Sequence, residues 1–146
     1  MIKLAFKADC CGCSACVHIC PNHCIMLQED NEGFEYPIIN ADKCIKWGLC
    51  EKVCPALNKG NQRRQFKVYA AKNRNEMDRL QSSSGGLFTL LAEQVIHDGG
   101  VVFAVKYNTE AEAEFSYFED IDSIDAFRGS KYVQAKIGSS YIEAEK

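Results

Sequence analysis

The chain has 146 residues, 47% of them hydrophobic and 25% charged, with a formal net charge of −3. These are ordinary values for a globular protein, and the near balance of charge disfavours a basic nucleic-acid arm or an acidic tail. Because we find neither an export signal nor an apolar run of membrane-spanning length, we expect a cytoplasmic protein without a membrane span. The length suits one ordinary domain, or a small module followed by part of a larger domain.

All nine cysteines lie between residues 10 and 54, and all except Cys24 fall in two runs. The runs are CCGCSACVHICP, from Cys10 to Pro21, and CIKWGLCEKVCP, from Cys44 to Pro55. Each follows the spacing Cys-x-x-Cys-x-x-Cys-x-x-x-Cys-Pro, except that Trp47 stands at the second cysteine position of the second run. This spacing is the signature of a bacterial-type ferredoxin with two iron-sulfur clusters, in which the fourth cysteine of each run ligates the other cluster. One cluster is therefore a ligand short.

Crossed ligation predicts four thiolate ligands for the first cluster and three for the second. Gly12 and Gly48 suit the tight ligand loops because glycine allows positive φ and close approach. Trp47 cannot ligate iron, since its indole offers only an N–H donor. We therefore expect a 4Fe-4S cluster at the first site and a 3Fe-4S cluster, a labile 4Fe-4S cluster or no cluster at the second. The first ligand set is Cys10, Cys13, Cys16 and Cys54, and the second is Cys20, Cys44 and Cys50.

Other interpretations of the cysteines are weaker. A secreted disulfide framework is disfavoured by the missing export signal and the odd cysteine count. Structural zinc binds paired CxxC knuckles, but it needs only four ligands and does not require the Cys-Pro endings. Cys24 lies one helical turn past Cys20 and could approach the second cluster, yet we expect both Cys24 and Cys11 to be small buried hydrophobes. We expect neither His18 nor His23 to be a ligand.

The remaining elements of residues 1–60 fit a ferredoxin-type module. IMLQED and FEYPII are predicted to be short strands joined by a turn at Asn31–Gly33, and a short helix is expected before each Cys-Pro ending. The apolar core of such a small module is marginal, so we expect cluster ligation to contribute folding energy.

The second predicted domain comprises residues 61–146. A polar linker at residues 57–66 leads into it, and the sequence pattern changes after this linker. The residues Ser82–Gly86 precede an apolar run with helical spacing, where serine is a favoured N-cap and Gly99 a favoured stop. Strand, helix and strand in this order predict a partial α/β domain, so the fold class is α+β: a small two-cluster ferredoxin-like module followed by that partial domain. The predicted strands are KVYAAK, GVVFAVKY and EAEFSYF. The predicted helices are LFTLLAEQVI and IDSIDAFRG, and the segment KYVQA follows the second helix.

A Ser/Gly-rich loop that enters a helix can bind the pyrophosphate of a nucleotide, although SSSGG is also a plain helix start. The two-run module together with KVYAAKN, QSSSGGLFTLLAEQVIHDGGVVFAVKYN and FRGSKYVQAKIG resembles the N-terminal half of the coenzyme F(420) hydrogenase/dehydrogenase beta-subunit family. The resemblance covers essentially the whole chain. It implies a flavoprotein that passes electrons between iron-sulfur clusters and a deazaflavin or related hydride carrier, with FAD as cofactor.

The resemblance also implies which residues contact the flavin. Arg128 and Lys131 belong to a second, flavin-facing segment, for which a solvated surface pair is the alternative. No catalytic residue is predicted, because the serines lack a histidine partner. The chain stops inside a predicted helix, YIEAEK, where members of that family continue, so we expect an incomplete enzyme. The candidate phosphate contacts are Ser83, Ser84, Gly85 and Gly86.

The expected function is therefore iron-sulfur electron transfer within a flavin-dependent oxidoreductase, with a redox partner protein or hydride carrier and without nucleic acid. The alternative is a stand-alone ferredoxin-like carrier, or a zinc-bound structural or docking module without catalysis.

Overall fold

The computed structural model describes residues 2–4, 6–60 and 67–146. The chain divides into two compact units, Met1–Phe66 and Lys67–Lys146, here called the N-terminal and C-terminal units. Residues 61–66 of the expected polar linker lie outside the described residues. Helices and short antiparallel sheets occur together, so the fold is α+β as predicted.

The N-terminal unit repeats one plan around a hairpin. Each cysteine loop is followed by a single helical turn, α1 at Ala15–His18 and α2 at Leu49–Lys52. The strands β1, Ile25–Glu29, and β2, Glu35–Ile39, form an antiparallel pair between them. The predicted hairpin and the two short helices are confirmed.

Asp30 organises the turn of this hairpin. Its Oδ1 accepts hydrogen bonds from the backbone N–H groups of Glu32 and Phe34, and Gly33 takes a φ of +82° that favours glycine. The Nζ of Lys7 lies 2.7 Å from Asp30 Oδ2. These contacts fix the hairpin turn and hold the start of the chain against it.

Cysteines make up most of the fully buried core of the N-terminal unit. Among the described buried residues of this core only Ile2 and Ile25 are large aliphatic side chains, so the apolar surface that the unit can bury without a cofactor is small. The buried core residues are Ile2, Cys16, Cys20, Cys24, Ile25 and Cys54, and Leu4, Val17, Ile39, Cys44, Cys50 and Ala56 pack against them.

The C-terminal unit places helices around a two-stranded antiparallel sheet. Its core contains the rings of Phe118 and Phe127, which stack at a centroid distance of 4.4 Å, together with Ala92 and Ile124. In the part of the chain that the structure describes, no helix is long and apolar enough to span a membrane. The elements are α3 (Glu76–Leu80), α4 (Leu87–His97), β3 (Val102–Tyr107), β4 (Ala113–Phe118), α5 (Ile124–Phe127) and α6 (Ser140–Ala144).

One strand predicted for this unit is absent. KVYAAK is not a strand, and its Val68 and Tyr69 side chains are 91% and 77% exposed. Just after KYVQA, a parallel bridge joins Lys136 to Glu114. A β-prone segment needs a partner strand, and within the described residues the sheet contains only β3 and β4.

Helix α4 is capped at both ends by glycine. The N-cap is Gly86, which has a φ of +73° and no side chain to cap the helix. The predicted serine N-cap is therefore wrong. The predicted glycine stop is confirmed: Gly99 has a φ of +77°, and the N–H of Gly100 donates to the carbonyl of Val95 at 2.8 Å. Gly86 therefore places the end of the Ser/Gly-rich loop directly at the helix start.

Candidate metal centres

The two cysteine loops repeat one backbone conformation. Gly12 and Lys46 occupy equivalent positions with φ values of +63° and +58°, and Ser14 and Gly48 are equivalent with +59° and +76°. Glycine adopts such angles at little cost, whereas other residues do so rarely. Only the two glycines could be predicted from the sequence, since Ser14 and Lys46 have no special preference for this conformation.

Trp47 preserves the second loop while removing its thiolate. It lies between two residues whose backbone matches the first loop, at the position equivalent to Cys13. The indole is 64% exposed and offers no lone pair to iron. The substitution therefore costs the site a ligand without changing the path of the loop.

The first cysteine-lined cavity contains the complete predicted ligand set. Cys10, Cys13 and Cys16 of the first run line it together with Cys54 of the second run, as does the exposed Cys11. Burial, followed by the neighbouring thiols, raises the pKa of Cys16 to about 11. Metal binding must therefore displace a proton from this thiol, as thiolate ligation always requires.

The second cysteine-lined cavity contains the shorter predicted set. Cys44 and Cys50 of the second run line it with Cys20 of the first, and Trp47 also borders it. Each cavity thus receives cysteines from both runs, which is the arrangement that crossed ligation requires. Among the described residues, no three His, Cys, Asp or Glu side chains are grouped around a single-ion position.

Cys24 also lines the second cavity. It is 4% exposed, and its Sγ lies 3.3 Å from the Sγ of Cys20. Hydrogen bonding to Cys20, burial and the nearby thiol of Cys44 raise the pKa of Cys24 to about 11, while the backbone N–H of Cys24 lowers the pKa of Cys20. Cys24 is buried as expected.

The other residues outside the cysteine pattern lie at the surface. Cys11 is exposed, so the prediction that it is buried is wrong. His18 and His23 are exposed as well. Neither histidine is among the residues that line the two cysteine cavities.

A third cavity, of about 480 Å³, lies within the C-terminal unit and contains every residue predicted to contact a flavin. The SSSGG loop lines one side and the segment after α5 another, and the Oγ atoms of Ser83 and Ser130 are 3.0 Å apart. Two segments distant in sequence therefore meet at one pocket. The predicted residues that line it are Ser83, Ser84, Gly85, Gly86, Arg128 and Lys131.

Arg128 and Lys131 do not form a solvated surface pair. An Arg128 Nη atom lies 3.1 Å from Asp78 Oδ1, both side chains are 13% exposed, and Arg128 also contacts Gln81. Lys131 donates to the carbonyl oxygens of Phe127 and Arg128 at 3.1 and 2.9 Å, and burial lowers its pKa. Both cations are thus fixed at the edge of the cavity.

Asn73 holds the SSSGG loop in place and was not predicted. It is buried, its N–H donates to the carbonyl of Gly85 at 2.7 Å, and its side-chain amide reaches the carbonyl of Gly86 at 3.4 Å. A Cβ on Gly85 would lie 2.7 Å from the carbonyl oxygen of Ala71. The loop therefore packs directly on the backbone of the preceding segment, a long-range contact that no local motif signals.

Comparisons with known proteins match the cysteine-rich part of the chain. The 4Fe-4S dicluster domain family matches residues 9–58. A protein of Hydrogenibacillus schlegelii named "Ferredoxin 7Fe" is 35% identical over 65 residues, which cover 42% of this chain and 77% of that protein. These similarities coincide with the two cysteine-lined cavities of the N-terminal unit. Through this unit, an iron-sulfur electron-transfer domain, the chain belongs to the 4Fe-4S dicluster ferredoxins.

Proposed function

We propose that the chain is the iron-sulfur electron-transfer part of a flavin-dependent oxidoreductase resembling the coenzyme F(420) hydrogenase/dehydrogenase beta subunit. The observation that carries the proposal is the pair of cavities in the N-terminal unit, each lined by cysteines from both runs. The pocket of the C-terminal unit, formed by the SSSGG loop and the segment from Arg128 to Lys131, supports the flavin part.

The first cluster is a 4Fe-4S cluster held by Cys10, Cys13, Cys16 and Cys54. The thiol chemistry fits, because these four side chains surround one cavity and thiolates are the ligands that such clusters take. The cluster, when bound, accepts and releases single electrons, while the protein supplies ligation, burial and local electrostatics.

The second cluster is held by Cys20, Cys44 and Cys50. Three thiolates suit a 3Fe-4S cluster, or a 4Fe-4S cluster whose remaining iron takes a ligand from outside the motif. The relative is named as a seven-iron ferredoxin, and seven irons are the sum of one four-iron and one three-iron cluster. The choice between three and four irons at this site depends on whether a further thiolate reaches it.

The flavin is FAD, bound in the C-terminal unit. Small residues of the loop from Ser83 to Gly86 allow close approach to phosphate oxygens, and the loop leads into the N-terminus of the eleven-residue helix α4. Lys131 supplies positive charge at the cavity edge, and Arg128, which is paired with Asp78 and Asp125, supplies a guanidinium there. Electrons would pass between the clusters, the flavin and a redox partner protein or hydride carrier in the cytoplasm, where nine unbridged cysteines would remain reduced.

Cluster ligation is tested by anaerobic reconstitution of the full chain, with iron and sulfide quantification and EPR. Cys54→Ala should lower the iron content and change the EPR signal of the first cluster, and Cys20→Ala those of the second, although each residue belongs to the opposite run; Cys11→Ala is the matched control. If Cys54→Ala instead altered the cluster bound by Cys44 and Cys50, crossed ligation would be contradicted. Stoichiometric zinc without visible absorption would contradict the electron-transfer proposal.

Flavin binding is tested by titrating the chain with FAD and following the quenching of flavin fluorescence. Replacing Ser83 and Ser84 by alanine should weaken binding by about a hundredfold or more, since each loses a hydrogen bond to a charged group. Ser139→Ala is the control, because its hydroxyl donates to Glu143 outside the pocket. Absence of FAD binding by the unaltered chain would favour the stand-alone carrier.

A further inference from the structure

The second cluster site contains one cysteine more than its motif provides. Cys24 lines the same cavity as Cys20, Cys44 and Cys50, so four thiols surround the site in which Trp47 replaces a ligand. We propose that Cys24 is the fourth ligand of the second cluster, which consequently holds four irons. This inference rests on the proposed two-cluster function.

The position of Cys24 is fixed by the fold. It directly precedes β1, and its carbonyl accepts a hydrogen bond from the N–H of Asn40 at 2.8 Å, just beyond β2. Cys24 is 4% exposed, its Sγ lies 3.3 Å from that of Cys20, and it lines the same cavity as Cys44. The sulfur is therefore already inside the ligand set, and no change of the hairpin is needed to bring it there.

The two cysteines outside the motif have different environments. Cys11 is exposed and borders the first cavity, where four motif thiols are already present. Cys24 is buried at the second cavity, where one motif thiol is missing. The extra buried thiol thus coincides with the incomplete ligand set.

Ligation by Cys24 is not a redox reaction and needs neither an oxidant nor a reductant. The S–H bond of Cys24 breaks, its proton passes to solvent, an S–Fe bond forms, and no electron changes hands. With the cluster bound, the 3.3 Å contact between the Sγ atoms of Cys20 and Cys24 would be replaced by a bond from each sulfur to iron.

The test compares the reconstituted 146-residue chain with Cys24→Ala, with Cys24→Ala combined with Trp47→Cys, and with the control Cys11→Ala. The unaltered chain and the control should hold about eight irons and show no three-iron EPR signal after mild oxidation. Cys24→Ala should lose about one iron and gain a three-iron signal approaching one spin per chain. Adding Trp47→Cys should restore the eighth iron, because it returns the motif ligand.

A three-iron signal near one spin per unaltered chain, unchanged by Cys24→Ala, would overturn the assignment of Cys24. The reduced signal of the first cluster, measured in the same samples, shows whether each variant has folded. A chain that lacks both clusters would instead contradict the proposed electron-transfer function, so the two failures are distinguishable.

Discussion

The Arg128–Asp78 pair shows how burial decides what an ion pair contributes. Both side chains are 13% exposed and their charged atoms lie 3.1 Å apart, between α3 and the segment after α5. In contrast, Arg79 and Glu76 are 3.9 Å apart, with the Glu76 side chain 76% exposed. Exposed pairs contribute little because solvent screens them, whereas loss of Asp78 would leave Arg128 with only an exposed carboxylate partner, Asp125, at 3.2 Å. We therefore expect the first pair to matter for stability and the second not to.

Asp78→Asn should lower the free energy of unfolding by about 1–3 kcal/mol, because Arg128 loses a charge-assisted hydrogen bond. The matched control Glu76→Gln, on the same helix, should change it by less than about 0.5 kcal/mol. Urea unfolding followed by circular dichroism measures both. Equal effects of the two substitutions would show that the pair between Asp78 and Arg128 adds no more to stability than the exposed pair.

At the scale of elements, the SSSGG loop is held by backbone contact. Its Gly85 and Gly86 pack on Ala71 and Asn73, residues of a segment that is not a strand. The contact leaves no room for a side chain at Gly85 and requires a positive φ at Gly86. The glycines therefore serve packing and helix entry whether or not a flavin is bound.

Gly85→Ala should destabilise the chain by about 1–3 kcal/mol, because the new Cβ would meet the carbonyl oxygen of Ala71 at 2.7 Å and the backbone must move. Gly60→Ala is the control, since a Cβ there meets nothing within 4 Å. Denaturant unfolding of both variants gives the difference. A Gly85→Ala variant as stable as Gly60→Ala would mean that the loop has free space to shift.

Elements defined by local pattern were predictable, and those that depend on distant partners were not. Alternation and turn residues located β1, β2 and β4, and helical spacing located α4. The strand prediction for KVYAAK failed because β-propensity specifies a strand only where another strand pairs with it. The prediction of a serine N-cap for α4 failed because serine and glycine are both favoured at that position. The packing against Asn73 selects Gly86.

At the scale of the whole molecule, the same distinction separates the candidate sites. Cysteine spacing alone predicted both ligand sets, because it encodes the loop that gathers the thiols. The meeting of the SSSGG loop with the segment that contains Arg128 and Lys131, seen in the contact between Ser83 and Ser130, was expected only from the resemblance, since nothing local links segments so far apart. The placement of Cys24 in one cavity with Cys44 depends on how the hairpin packs, which one sequence does not show.

The two units should also differ in their dependence on iron. The core of the N-terminal unit is mostly cysteine, so removal of its clusters takes away the ligation energy that offsets the chain entropy of a small module. The C-terminal unit has its own core around Phe118 and Ile124 and contains no cysteine. Iron chelation under mildly oxidising conditions should therefore abolish amide-exchange protection in β1 and β2 while α4, β3 and β4 keep theirs, as read by hydrogen exchange and mass spectrometry. Unchanged protection in β1 and β2 after complete iron loss would mean that the apolar residues of the N-terminal unit suffice to fold it.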